Sequence, residues 1–171
     1  MSTRVARLVG AAVTIAALAG CGYRFAVGGA GLPDGVARVH VPVFDNRSSD
    51  AEAGAIFSEA LAAALARQGR AAGPGAPARV QGTVASISAA PAATRGDGTG
   101  VGVYRLAATL RLRLVRDGQV LCDREFTGGE DYLPGTDLLG TEAARRQAIR
   151  RLAERLMGSA SAELCPVVAS E

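Results

Sequence analysis

Three cysteines, one histidine and nineteen cationic side chains, every one of them arginine, are the groups with chemistry to offer in this 171-residue sequence. The absence of lysine excludes a Walker A phosphate loop, a Schiff base, a Ser-x-x-Lys pair and the ATP-binding lysine of a kinase, since each needs a primary amine. A single histidine, His40, excludes His-rich metal centres and restricts any catalytic triad to one built on it. No Gly-x-Ser-x-Gly elbow is present for it to serve, and it shares the polar side of a strand-like segment with Arg38, where a solvated imidazole is expected. Without a Cys-x-x-Cys pair, a zinc or dithiol redox site is not expected either. The run Gly96-Asp97-Gly98-Thr99-Gly100-Val101-Gly102 has glycine at every second position and joins two strand patterns, whereas a dinucleotide fingerprint is Gly-x-Gly-x-x-Gly opening a helix. Glu130 and Asp131 are adjacent, so in an extended segment they point to opposite faces and cannot converge as an acid and base pair. The expectation is no catalytic residue, no metal and no cofactor.

The beginning of the chain reads as an address. Arg4 and Arg7 precede an uncharged apolar run ending in small residues, the layout of a secretory signal peptide. That run has 13 residues from Leu8 to Gly20, short of the roughly 20 a membrane-spanning helix needs. Leu18-Ala19-Gly20-Cys21 resembles the lipobox of bacterial lipoproteins, in which the cysteine is acylated and becomes the first mature residue. Gly22 stands where lipoproteins retained in the inner membrane tend to have Asp, so the resemblance implies export to the outer membrane. Several acyl chains, at about 0.8 kcal/mol per buried methylene, anchor stably where one would not. With Cys21 so used, Cys122 and Cys165 are left in an oxidising compartment as the one candidate disulfide, with two unpaired thiols as the alternative. Closing that loop of roughly 44 residues would stabilise the fold by about 4 kcal/mol in the chain-entropy description.

The elements divide the chain into a signal peptide over 1–20, a Gly-rich tether over 21–35, one domain over 36–158 and a tail over 159–171. Val39, Val41 and Val43 alternate with Arg38 and His40, predicting a half-buried strand over 36–44, placed at an edge by Pro42, which has no N–H to donate. Asp45 to Asp50 is a turn, with Ser49 or Asp50 available to cap a helix over 51–68 whose Phe57, Leu61, Ala64 and Leu65 share a face and which Gly69 stops. Strands are predicted over 79–88, over 104–114 and over 119–127, the last two joined by the hairpin signal Asp117-Gly118. In the middle one Tyr104, Leu106, Ala108, Leu110, Leu112 and Leu114 share a core face, leaving Arg105, Arg111 and Arg113 on the wet one. Pro91 to Val103 and Gly128 to Gly135 are predicted loops, and Leu138 to Met157 a second amphipathic helix ended by Gly158. The order β-α-β-β-β-α predicts an α+β two-layer fold, with two helices on one face of a four-stranded sheet.

A lipobox cysteine followed by Gly22-Tyr23-Arg24-Phe25 and, later, by Val41-Pro42-Val43-Phe44-Asp45-Asn46-Arg47-Ser48 resembles the lipopolysaccharide-assembly lipoproteins of the LptE family. The element order, Glu130-Asp131-Tyr132-Leu133 and the Arg/Ala-rich last helix extend the resemblance along nearly the whole chain. It implies a non-enzymatic lipoprotein on the periplasmic face of the outer membrane, filling the lumen of an LptD-type β-barrel and binding lipopolysaccharide on its way to the surface. Lipid A carries phosphates, and planar guanidinium groups suit bidentate phosphate contact, which makes Arg105, Arg111 and Arg113 the candidate ligand contacts. A merely solvated face is the alternative for the same residues. The Val-Pro-x-Phe-Asp-Asn-Arg-Ser segment is also similar to lipoproteins that activate peptidoglycan synthases or form secretion channels.

The sequence pI of about 9.1 belongs partly to the leader. Without residues 1–20 the charge falls from +3 to +1, with 17 arginines against 16 acids. Together with seven aromatic residues and no Trp in the remainder, this gives no support for a nucleic-acid partner.

Overall fold

The computed structural model describes residues 32, 33 and 35–165; the leader, Cys21 and most of the tether, and the tail from 166 onward, lie outside the described residues. Its elements are β1 (Val39–His40), β2 (Asp45–Asn46), α1 (Ala53–Arg67), β3 (Ala71–Ala72), β4 (Ala78–Thr94), β5 (Val101–Arg116), β6 (Gln119–Tyr132) and α2 (Leu138–Glu163). The sheet runs β3-β1-β4-β5-β6, with β2 also paired to β4. β1 and β2 run parallel to β4, while β4, β5 and β6 form a long antiparallel meander. Both helices lie on one face of the sheet, as the amphipathic patterns require. Asp50 meets Arg145 near their starts and Gln68 Nε2 donates to Ser161 Oγ at 2.8 Å near their ends, so the two helices are parallel. Between the layers β5 contributes Leu106, Leu110, Leu112 and Leu114, α1 contributes Phe57, Leu61 and Leu65, and α2 contributes Ile149, Leu152 and Met157, all fully buried.

The expected four strands become six segments, for local reasons. The strand expected over 36–44 survives only as Val39–His40, and a second short strand forms at Asp45–Asn46, where a turn was expected. Pro42 falls in the break, where its missing N–H cannot join a ladder. The face switches there too: Val39 is buried, Val43 is 72% exposed and Phe44 is buried in its place. The Phe44 ring lies directly over Gly82, where an added Cβ would come within 2.5 Å of it. β3 has only two residues, too few to show alternation.

The meander is longer than its periodicity suggests. β4 and β5 extend toward each other and leave only residues 95–100 between them, so most of the predicted Pro91–Val103 loop is a two-stranded ribbon. A register irregularity between Val84 and Ser86 shifts the phase of β4, turning Ile87 inward and Ser86 outward. Another between Leu114 and Val115 leaves Val120 55% exposed, although the two-residue repeat of the strand would put it on the same face as the buried Phe126. Asp117 and Gly118, with φ of 51° and 82°, make the tight turn expected of that pair. The segment 128–132, expected as loop, continues β6.

At α1, neither Ser49 nor Asp50 caps: the N-cap is Glu52 without a side-chain bond, Ser48 and Asn46 bond within the turn, and Asp50 pairs with Arg145 instead. At α2, the Asp137 carboxylate accepts from the Gly140 N–H at 2.6 Å. The helix passes through Gly158 to Glu163, because Ala160 and Ser161 are buried and hold the last turns against the core. Pro166 follows within three residues and disfavours further helix.

Candidate functional sites on the two faces and the ribbon pole

The open face of the meander carries the three arginines expected to contact phosphate. Register places Asp45, Thr83, Arg111 and Glu125 in one row across β2, β4, β5 and β6, with Gln81, Arg113 and Asp123 in the adjoining row. Arg111 donates from Nε and Nη2 to both oxygens of Asp123 at 2.7 Å, and Arg113 donates from Nε to the same carboxylate at 2.8 Å. Arg105 makes its own fork to Asp131, its directly opposite residue, with both bonds at 2.7 Å. Hydrogen bonding from Arg111 foremost holds Asp123 below the usual carboxylate range, and Arg105 does the same to Asp131. The same bonds raise Arg105 and Arg111. These side chains are solvated, so each pair contributes little to stability. What the pairing does is orient the guanidinium planes and nearly balance the charge of the face. Beside them, Val43 and Arg47 rim a hollow of about 500 Å³.

Glu130 and Asp131 diverge, as adjacent residues on a strand must. Asp131 turns to the open face, whereas Glu130 turns under α2 and binds Arg151 at 2.8 Å and Arg155. Arg155 also donates to the Gly129 carbonyl. These bonds, Arg151's first, lower the Glu130 carboxyl. Sequence reasoning did not foresee this clamp between β6 and α2; the i, i+4 spacing of Arg151 and Arg155 was its only trace.

At the far end of the meander lies a different surface. Ala89 to Thr94 of β4 are exposed on both sides of the ribbon. Tyr104 and Tyr132 stack with ring centroids 5.5 Å apart, and burial pushes the Tyr132 hydroxyl up. Next to them, Val103, Tyr132, Leu133 and Ala144 line a cleft of about 560 Å³, and Leu138 and Leu139 stand more than four-fifths exposed on the first turn of α2. Exposed leucines clustered with a cleft are the kind of apolar patch that marks an interaction site.

At the opposite end, Cys122 of β6 and Cys165 beyond α2 are disulfide-bonded, their Cα atoms 5.8 Å apart. Arg124 reinforces that corner by donating to the Glu163 carbonyl at 2.9 Å. His40 lies beside Arg79 in the ladder, half-buried. Among the described residues no cluster of His, Cys, Asp and Glu could hold a metal, and no helix is long and apolar enough to cross a membrane.

No curated protein matches the chain in sequence. Among solved structures it is similar to the rare lipoprotein B of Shewanella oneidensis, at 12% identity and a TM-score of 0.48, over 67% of this chain and 86% of that one. It is also similar to the PelC dodecamer protein of Paraburkholderia phytofirmans, at 19% identity and a TM-score of 0.49, over 80% and 94% of the two chains. A minor lipoprotein of Acinetobacter baumannii matches at 15% identity and a TM-score of 0.47, over 78% and 97%. The family model for lipopolysaccharide assembly, LptE, matches residues 36–159, which takes in every strand of the fold and α2 to within its last turn. With most of its length so matched, the chain belongs to the LptE family of lipopolysaccharide assembly.

Proposed function

We propose that this protein is a lipid-anchored lipoprotein of the outer membrane that works without catalysis, seated in an LptD-type β-barrel and handling lipopolysaccharide as it passes to the outer leaflet. The family match over residues 36–159 carries the reading. In this proposal Cys21 bears the acyl chains and holds the domain at the periplasmic face. The apolar pole around Tyr132, Leu133, Leu138 and Leu139 supports contact with acyl chains, because it offers unpaired apolar surface next to a cleft. Lipid A phosphates would be received by Arg111 and Arg113. These two share one carboxylate, and Arg113 spends only its Nε–H on it, whereas the fork of Arg105 is filled by Asp131. The lumen wall of a large barrel is polar, and the charge-balanced open face of the sheet is of matching character.

Envelope fractionation with crosslinking tests the proposal. The expected result is recovery of the chain in the outer membrane, bound to a large β-barrel protein, with less lipopolysaccharide at the surface when the chain is depleted. Recovery of a cell-wall synthase in place of a barrel, or unchanged surface lipopolysaccharide on depletion, would overturn it. For the ligand contacts, a lipopolysaccharide pull-down should lose most of its signal in an Arg111→Ala, Arg113→Ala variant and little in Arg105→Ala.

A further inference from the structure

One stretch of the outer surface of the helix layer, the groove between α1 and α2, differs from the sheet face: among the described residues the charges on its rim make no ion pair, whereas elsewhere on α2 Arg146 pairs with Glu142. Between α1 and α2 runs a groove of about 750 Å³, floored by Ile56, Ala60 and Ala63. Glu59 and Arg67 rim it from α1, and Arg150 and Glu154 from α2. All four are exposed, and none makes an ion pair among the described residues, whereas Arg105, Arg111 and Arg113 of the sheet face all do. Small side chains on the floor let another backbone come close, as they do where helices pack tightly.

The order of the charges defines what fits. Because α1 and α2 are parallel, with Asp50 level with Arg145 and Gln68 level with Ser161, Arg150 lies beside Ile56 at one end of the groove. Glu59 and Glu154 lie near its middle and Arg67 at the other end. At about 1.5 Å per residue the series runs positive, negative about 6 Å on, and positive about 16 Å from the start. Those spacings correspond to positions i, i+4 and i+11 of a helix, which fall on one face of a 3.6-residue repeat. An extended strand covers the same distances in about two and five residues, which puts its third contact on the opposite face from the first two. A second copy of this chain related by a two-fold axis through the groove would set Arg150 against Arg67, so self-association is disfavoured.

We propose that the α1–α2 groove receives an amphipathic α-helix of a partner protein carrying an acidic, a basic and an acidic residue at i, i+4 and i+11. The contact is with the helix layer, on the opposite side of the molecule from the arginine face, so its absence would leave the proposed barrel partnership standing. A photo-crosslinking residue at Ala63 of the full-length chain, expressed in its own cell envelope, tests it, with adduct sites mapped by mass spectrometry. The expected adduct lies in a helical segment of another protein with that charge order. Its yield should fall at least about fivefold in an Arg67→Glu, Arg150→Glu variant, in keeping with the loss of two exposed ion pairs, and return when the partner's two acids are reversed. The variant should still unfold cooperatively, with at most the small loss expected of reversing the Arg67 charge in the last turn of α1, since neither side chain has an ion pair among the described residues. An adduct to a second copy of the chain, an adduct to a strand of a barrel, no adduct, or a yield indifferent to charge reversal would each overturn the proposal.

Discussion

One pair of strands, β4 and β5, behaves in two ways along its length. From Ala78 to Ile87, paired with Ala108 to Arg116, one side is sealed by helices and the other is studded with charge. From Ser88 to Thr94, paired with Val101 to Ala107, the same ladder continues, but β4 is exposed on both sides and built from alanine, proline and small polar residues. The backbone hydrogen-bond pattern is shared, so pairing alone does not distinguish them. Apolar side-chain volume on the helix side does. Where Leu, Val and Phe are supplied, a core forms and the register is held by burial; where alanine is supplied, little apolar area is removed from water and the ribbon is left free for contacts with something else. Stability is therefore concentrated in one half of the meander and accessible surface in the other.

That division can be broken most severely from inside the covered half. Leu112→Ala should cost about 2–5 kcal/mol in urea unfolding, because Leu112 is fully buried between the layers and the cavity cannot collapse easily. Next in size, Gly82→Ala forces a methyl against the Phe44 ring and should cost about 1–3 kcal/mol by overpacking; pairing it with Phe44→Leu should recover part of the loss. At the border between the halves, Glu130 clamps α2 through Arg151 and Arg155. Its carboxyl is lowered in the fold, so its contribution is present above the ordinary carboxylate value of about 4.3 and is lost as pH falls through the lowered one. The melting-temperature gap between the parent and Glu130→Gln should hold steady above about pH 5 and close under acid. Smallest of all, Ala92→Ser in the free ribbon should change stability by less than about 0.5 kcal/mol. A loss there comparable to Leu112→Ala would show that the ribbon is part of the core after all.

Much of this architecture is readable from side-chain period. Leu106 to Leu114 alternate so regularly that their face was assignable directly, and the 3.6-residue spacing of Phe57, Leu61 and Leu65 identified the first helix. The lack of lysine and the single histidine are likewise properties of the sequence alone, and they exclude the sites that need those groups whatever the fold. What escaped were departures from period. The irregularity at Ala85, the face switch across Pro42 and the two-residue strand at Ala71–Ala72 each depend on how a neighbouring strand accepts them. The passage of α2 through Gly158 likewise depends on the burial of Ala160 and Ser161, and the full length of the ribbon on pairing across a glycine-rich turn.

The candidate site divides along the same line. That Arg105, Arg111 and Arg113 share a wet face follows from the two-residue repeat of a strand and nothing more. That their guanidinium groups already hold Asp123 and Asp131 depends on the register between β5 and β6, and a shift of one residue would have removed those partners. Likewise Arg67 and Arg150 each read as ordinary solvated charges in sequence. Only the parallel packing of α1 and α2 brings them, with Glu59 and Glu154, to the rim of one groove. Residue type and period are local quantities, carried by a few consecutive positions; charge balance and the shape of a groove are sums over segments that meet only after the chain has folded.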